Sequence, residues 1–251
     1  MDKHLMTATL FGLAMAAAPV IAGAAELKVI AGGGMTIPLK ELGPQFERAT
    51  GHKVDIRFAA TPELIKMATS GDPMDAAVVP VDVMKDAGAR AKFAPEPTTD
   101  IARVGFGVAV KAGAPKPDVS TPEALKGALL KAQSIAVFPT SAAGAFVQKT
   151  FERLGIMEVI KDKLKVQAGP AAIPQAVAKG EAELGVFLTN VLLAPGVELA
   201  GPLPGDLQQD LVFVGAISTD SKNADAARAF LDYLRTPDAV SVFKAKGVTR
   251  G

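Results

Sequence analysis

Short β-branched runs alternating with amphipathic helical stretches constrain this chain most, because that order implies a mainly parallel sheet covered by helices. Glu26 to Ile30 reads as a buried strand, and Lys53 to Phe58 as an alternating one with Val54, Ile56 and Phe58 on one face. Between them Leu39, Leu42 and Phe46 fall at i, i+3 and i+7, an apolar helix stripe that stops at Gly51. A second helix is expected from Thr61-Pro62-Glu63, with Thr61 as its cap, Pro62 in the first turn and Glu63 at the positive end. Asp75 to Val79 then supplies another strand.

At 251 residues the chain is longer than one typical domain of about 100–200 residues. Arg103 to Lys111 is a long apolar strand that leaves the first unit, and Gly113-Ala114-Pro115-Lys116-Pro117 follows as a break. Beyond it, Ser120 to Glu123 has capping-box spacing, Ser134 to Phe138 and Leu184 to Leu188 read as strands, and Leu211 to Ile217 returns as a second long strand. The expected α/β architecture is two open sheets flanked by helices, with residues 26–104 plus 213–251 as lobe 1 and 105–212 as lobe 2. Hinge strands are expected near Gly105 to Val108 and Val212 to Val214, and the helices carrying Phe230, Leu231, Leu234 and Phe243 should pack back on lobe 1.

Residues 1–25 read as a cleavable signal peptide: an apolar run from Leu5 to Ile21 leads into Ala22-Gly23-Ala24-Ala25, and it is short for a membrane span of about 20 residues. With no cysteine, the exported chain can carry neither a lipid on an N-terminal Cys nor a disulfide. Its 27 basic and 26 acidic residues create no broad positive field, which argues against nucleic acid or anionic lipid as partner.

Ligands of open α/β sheets sit beyond the carboxyl ends of strands, where loops feed helix N-termini. Three loops qualify. Ala31 to Thr36 contains Gly33, Gly34 and Met35, and its glycines let main-chain N–H groups approach a ligand. Ala59-Ala60-Thr61 offers a hydroxyl that either caps its own helix or serves a ligand. The stretch from Pro139 to Gly144 presents Thr140, Ser141, Ala142 and Ala143. Thr189 and Asn190, just past the Leu184 to Leu188 strand, complete the candidate set. Opposed helix starts, each with unsatisfied N–H groups and roughly half a positive charge, can hold an anion without Lys or Arg.

Catalytic and metal-binding readings have less to stand on. His52 is the only histidine after the signal segment and is expected as an exposed turn residue. Asp72 and Asp75 fit a turn and a strand start better than a carboxylate pair. No catalytic residue, metal ligand or cofactor is assigned.

Five pieces in order carry a family resemblance: Val29 to Gly34, Phe58 to Thr61, Gly71 to Asp75, Ala143-Gly144 with Leu154-Gly155, and Gly180 to Gly185. From Glu26 onward the chain resembles the molybdate-binding proteins of ABC importers, which are type II periplasmic solute-binding proteins. The resemblance implies a two-lobed type II fold in the periplasm, a small anionic ligand held between lobes by hydroxyls and amides, and an ABC permease as partner of a monomer. It places the family's first serine on Gly34, its second on Thr61, a backbone donor on Ala143, another near Pro170, and a cleft tyrosine on Leu188. Gly34 and Leu188 lack the hydroxyl and Pro170 the N–H, so the expected ligand is a molybdate-like oxyanion or a small organic acid. A similar glycine-rich first loop also resembles aconitate isomerase, a rival enzymatic reading in which Glu63, Arg57 and Asn190 could approach the cleft.

Overall fold

The computed structural model describes residues 24–95 and 99–251. The expected signal segment therefore lies outside the described residues except for Ala24 and Ala25. Chain order begins with β1 (Glu26–Gly32), a 3-10 turn (Gly33–Met35) running into α1 (Thr36–Thr50), β2 (Lys53–Ala59), α2 (Thr61–Thr69), β3 (Ala76–Pro80), α3 (Ala87–Arg90) and β4 (Thr99–Val104). It continues with β5 (Phe106–Lys111), α4 (Pro122–Lys131), β6 (Ile135–Val137), α5 (Ala142–Arg153), α6 (Met157–Ile160), β7 (Leu164–Val166), α7 (Ala172–Lys179), β8 (Leu184–Leu188), α8 (Thr189–Leu192) and β9 (Val197–Pro202). The chain closes with β10 (Leu211–Ile217), α9 (Ala224–Tyr233), α10 (Pro237–Ala245) and β11 (Thr249–Arg250).

Two sheets result, ordered β11-β4-β10-β3-β1-β2 and β7-β6-β8-β5-β9. The first is parallel across β3-β1-β2, as alternation with helices requires, and β10 joins it antiparallel to both β3 and β4. The second pairs β6 in parallel with β7 and β8, while β5 runs antiparallel to β8 and β9. This is the two-lobed α/β type II arrangement. The stripe Leu39, Leu42 and Phe46 is fully buried, and Phe46 meets Phe230 and Tyr233 of α9 edge-on at 5.1 and 5.6 Å, so the C-terminal helices return to the first lobe. Gly51 ends α1 at φ 76°, a left-handed conformation that side-chain-bearing residues resist.

The chain passes between sheets twice. The first passage is the single residue Gly105, not the whole Gly105 to Val108 stretch, because Phe106 to Val108 already pair within the second sheet. The second occupies residues 203–210, not Val212 to Val214: Leu211 and Val212 already pair with Val104 and Arg103 inside the first sheet. An apolar run reads alike whether it crosses between lobes or lies at the centre of one sheet, so the strand pattern misplaces this boundary. Gln208 ties the passages together, accepting from Phe106 N at 2.9 Å and donating to Phe106 O at 2.8 Å.

Caps also shift from expectation. Thr121, not Ser120, caps α4 by accepting from Ala124 N at 3.1 Å, because Ser120 is held by Asp118. His52 is half-buried, its ring 6.0 Å from Phe46 and its Nδ1 accepting from Ala25 N at 3.1 Å. Glu47 accepts from Val54 N at 3.0 Å and pairs with Lys53. The Val54 hydrogen bond, more than Lys53, holds its carboxyl below the usual range.

Candidate functional site

The three loops picked from sequence meet at one cavity between the lobes. Gly33 and Gly34 enter after β1, Ala59, Ala60 and Thr61 after β2, and Ser141, Ala142 and Ala143 at the start of α5. Helix geometry leaves first-turn N–H groups such as those of Gly34, Thr61 and Ala143 without intrahelical acceptors. Positive ends from both lobes therefore face a shared space, and none of the lining residues is Lys, Arg, His, Asp or Glu.

Thr61 is not a cap. Ala60 is the N-cap of α2 and makes no side-chain cap bond. The Thr61 hydroxyl instead accepts from Ala142 N at 3.0 Å, a bond across the cleft between residues 81 apart. Ser141 caps α5 by accepting from Gly144 N at 2.9 Å. Thr140 lies farther out, with Ser141 in a groove that also holds Lys85, Lys149, Asp82 and Asp210.

Three other expected site residues stand elsewhere. Met35 is fully buried in the lobe 1 core, since the 3-10 turn swings its side chain away from the loop amides. Thr189 is spent on the first passage, where its N and Oγ1 both donate to Gly105 O, at 2.9 and 3.2 Å. Asn190, 2% exposed, donates from Nδ2 to Gly34 O at 2.6 Å, while its buried Oδ1 has no partner. It joins the lobes by gripping the glycine loop and does not line the cavity itself.

The remaining wall is apolar. Leu188, Phe187, Leu211, Phe213, Pro80 and Pro170 complete it, so all three positions where the sequence departs from the resembled pattern meet here. A Cβ on Gly34 would lie 2.8 Å from Leu188 Cδ1 and 3.0 Å from Phe213 Cζ, and one on Gly33 3.2 Å from Pro170 Cγ. Serine at position 34 is therefore incompatible with these neighbours as placed. Pro80 ends a parallel strand, a position at which ligands are expected. Leu211 and Phe213 carry no such local signal because they enter from an antiparallel strand.

Of the residues expected to approach the cleft in the enzymatic reading, Glu63 and Arg57 do not line this cavity. Glu63 is exposed and 3.8 Å from Lys66, and Arg57 lines a separate depression with Asp55 and Asp72. Asp75 is buried as a structural acceptor for Lys28 N, Ser221 Oγ and Asn223 Nδ2.

Two lobes joined by paired passages, with helix starts facing one cleft, define a solute-binding architecture. The sequence profile of the bacterial extracellular solute-binding proteins matches residues 27–249, and the chain belongs to that family. Among its relatives, aconitate isomerase from a Pseudomonas species is 31% identical over 258 residues, covering 99% of this chain and 97% of that protein. The molybdate-binding protein ModA of Azotobacter vinelandii is 32% identical over 240 residues, covering 90% of each chain. The solved periplasmic molybdate-binding protein of Azotobacter vinelandii superposes with a TM-score of 0.74 at 19% identity, over 89% of this chain and 98% of that one.

Proposed function

We propose that this protein is the extracytoplasmic receptor of an ABC importer and captures a small anion between its lobes. The observation that carries the reading is the convergence of first-turn amides from both lobes on a cavity with no ionisable side chain in its wall. In such a place helix-end partial charges and N–H groups supply the attraction, and exclusion of water strengthens it. After removal of its signal segment, the receptor acts as a free, non-lipidated monomer in the periplasm and delivers its ligand to a permease. Rotation about Gly105 and residues 203–210 opens and closes the cleft.

Titration calorimetry with molybdate, tungstate, sulfate, citrate and trans-aconitate is the direct test, and binding of at least one is the expected result. Small-angle scattering should show a smaller radius of gyration with that anion bound, and an unchanged radius would count against closure. Thr61→Ala removes the hydroxyl that spans the cleft and is expected to weaken binding of the anion so identified about 5- to 150-fold, equivalent to ~1–3 kcal/mol. Unchanged affinity would remove Thr61 from the site.

Near-full-length similarity to aconitate isomerase gives a second reading, isomerisation of an unsaturated tricarboxylate. That chemistry needs a base at the reacting carbon, and the cavity wall provides no carboxylate, imidazole or amine. Loss of trans-aconitate followed by ultraviolet absorbance separates the two: turnover supports the enzyme, and binding without turnover supports the receptor.

A further inference from the structure

The geometry points to a ligand that is an organic anion with an apolar body, seated with its anionic head at the loop amides and its body in the groove between α1 and α7–α8. This inference rests on the anion-capture reading and narrows it to a chemical class. Its first support is size. The cavity where the amides converge has a volume of about 20 Å³. A single water needs roughly 10–15 Å³, so the central space is close to water-sized. A ligand that reaches these amides has to extend beyond them.

The cleft continues on two sides of unlike chemistry. On the Thr61 and Ser141 side the groove contains charges of both signs, and Lys85 is engaged by Asp82 at 2.7 Å. The other side is a groove of about 650 Å³. That falls within the ~300–1,000 Å³ usual for small-molecule sites. Gly33, Gly34, Ala59, Ala60 and Pro170 belong to both this groove and the central cavity, so the two spaces adjoin. Beyond the shared wall stand Phe58, Ile37, Pro174 and Val191, with Lys179 as the one ionisable group in the lining.

The central wall acts in the same direction. Leu188 and Pro170 present hydrocarbon to the cavity and Gly34 bare backbone. A compact oxyanion, which needs donors on every oxygen, finds no side-chain donor at these positions. A carboxylate needs donors on one end only and gains from an apolar wall around the rest. Ile37 is 44% exposed on the surface of α1, which makes it an apolar contact available to such a ligand and dispensable to the core.

The test is calorimetric titration of the full exported chain with acetate, butyrate, hexanoate and phenylacetate, beside molybdate, sulfate, citrate and trans-aconitate. Affinity is expected to rise along the aliphatic series by about fourfold per buried methylene. Hexanoate or phenylacetate should outbind molybdate and trans-aconitate by at least tenfold. Ile37→Gln should weaken hexanoate at least tenfold and acetate much less, with the melting temperature unchanged. A flat series, equal effects of Ile37→Gln on hexanoate and acetate, or tighter binding of molybdate or of a polar polycarboxylate would overturn the apolar-body proposal and leave anion capture standing. No heat with any of these anions would overturn both.

Discussion

Gly144→Ala is expected to destabilise the protein by about 3 kcal/mol or more, although Gly→Ala inside a helix ordinarily stabilises by ~0.5–1 kcal/mol. Gly144 is in the first turn of α5, and Pro139 folds back over it. A Cβ there would overlap the carbonyl oxygen of Phe138 and lie 2.7 Å from Pro139 Cα. Both obstacles are main chain, so no rotamer change relieves them. The melting temperature should fall by roughly 6–12 °C, at 2–4 °C per kcal/mol for a chain of this length class. Because the same turn holds Ser141, Ala142 and Ala143 at the cleft, affinity for whichever anion binds should fall with it. Gly127→Ala in α4 is the control: nothing lies within 4 Å of its added methyl, and ~0.5–1 kcal/mol of stabilisation is expected. Equal melting temperatures for the two variants would show that the α5 turn is not packed as described.

Asp75→Ala is expected to cost about 3–5 kcal/mol, read as a lower urea midpoint at unchanged slope. The carboxylate is 6% exposed and accepts from Lys28 N at 2.9 Å, Ser221 Oγ at 2.7 Å and Asn223 Nδ2 at 3.3 Å. Its main chain joins the same network, donating to Lys28 O at 2.8 Å and accepting from Ser218 N at 2.9 Å. One residue therefore links β1, the entry to β3 and the turn between β10 and α9. Removing it strands several part-buried donors together, which costs more than the mean value of one hydrogen bond. Asp75→Asn keeps the shape but must turn an N–H toward at least one donor or give up a bond, so an intermediate loss is expected. A change below 1 kcal/mol for the alanine variant would mean that water reaches these donors and the network is not a buried one.

Much of the candidate cavity was legible because its signals are local. A strand followed by small or hydroxylated residues and then a helix start identifies a loop whose amides point outward, and the loops after β1, β2 and β6 were found that way. Met35 and Thr189 were misplaced for a related reason: proximity to a loop does not determine which way a side chain turns. Met35 follows the 3-10 turn into the core, and Thr189 is taken by a carbonyl 84 residues away. Thr61 shows the same limit, because a hydroxyl at a helix start reads as a cap until its partner across the cleft is seen.

The sequence alone determined the α/β alternation, the parallel unit at the start of the first lobe, the need for two passages and the three amide-bearing loops. All of these rest on periodicity, glycine and proline placement and helix-end chemistry, which act over a few residues. Tertiary structure alone decided that the second passage lies at residues 203–210, that Asn190 holds Gly34 from 156 positions away, and that Leu188, Phe213 and Pro170 make the cleft wall apolar. These contacts join distant segments whose local patterns are equally compatible with other neighbours, and only packing of the two sheets against one shared cleft selects among them.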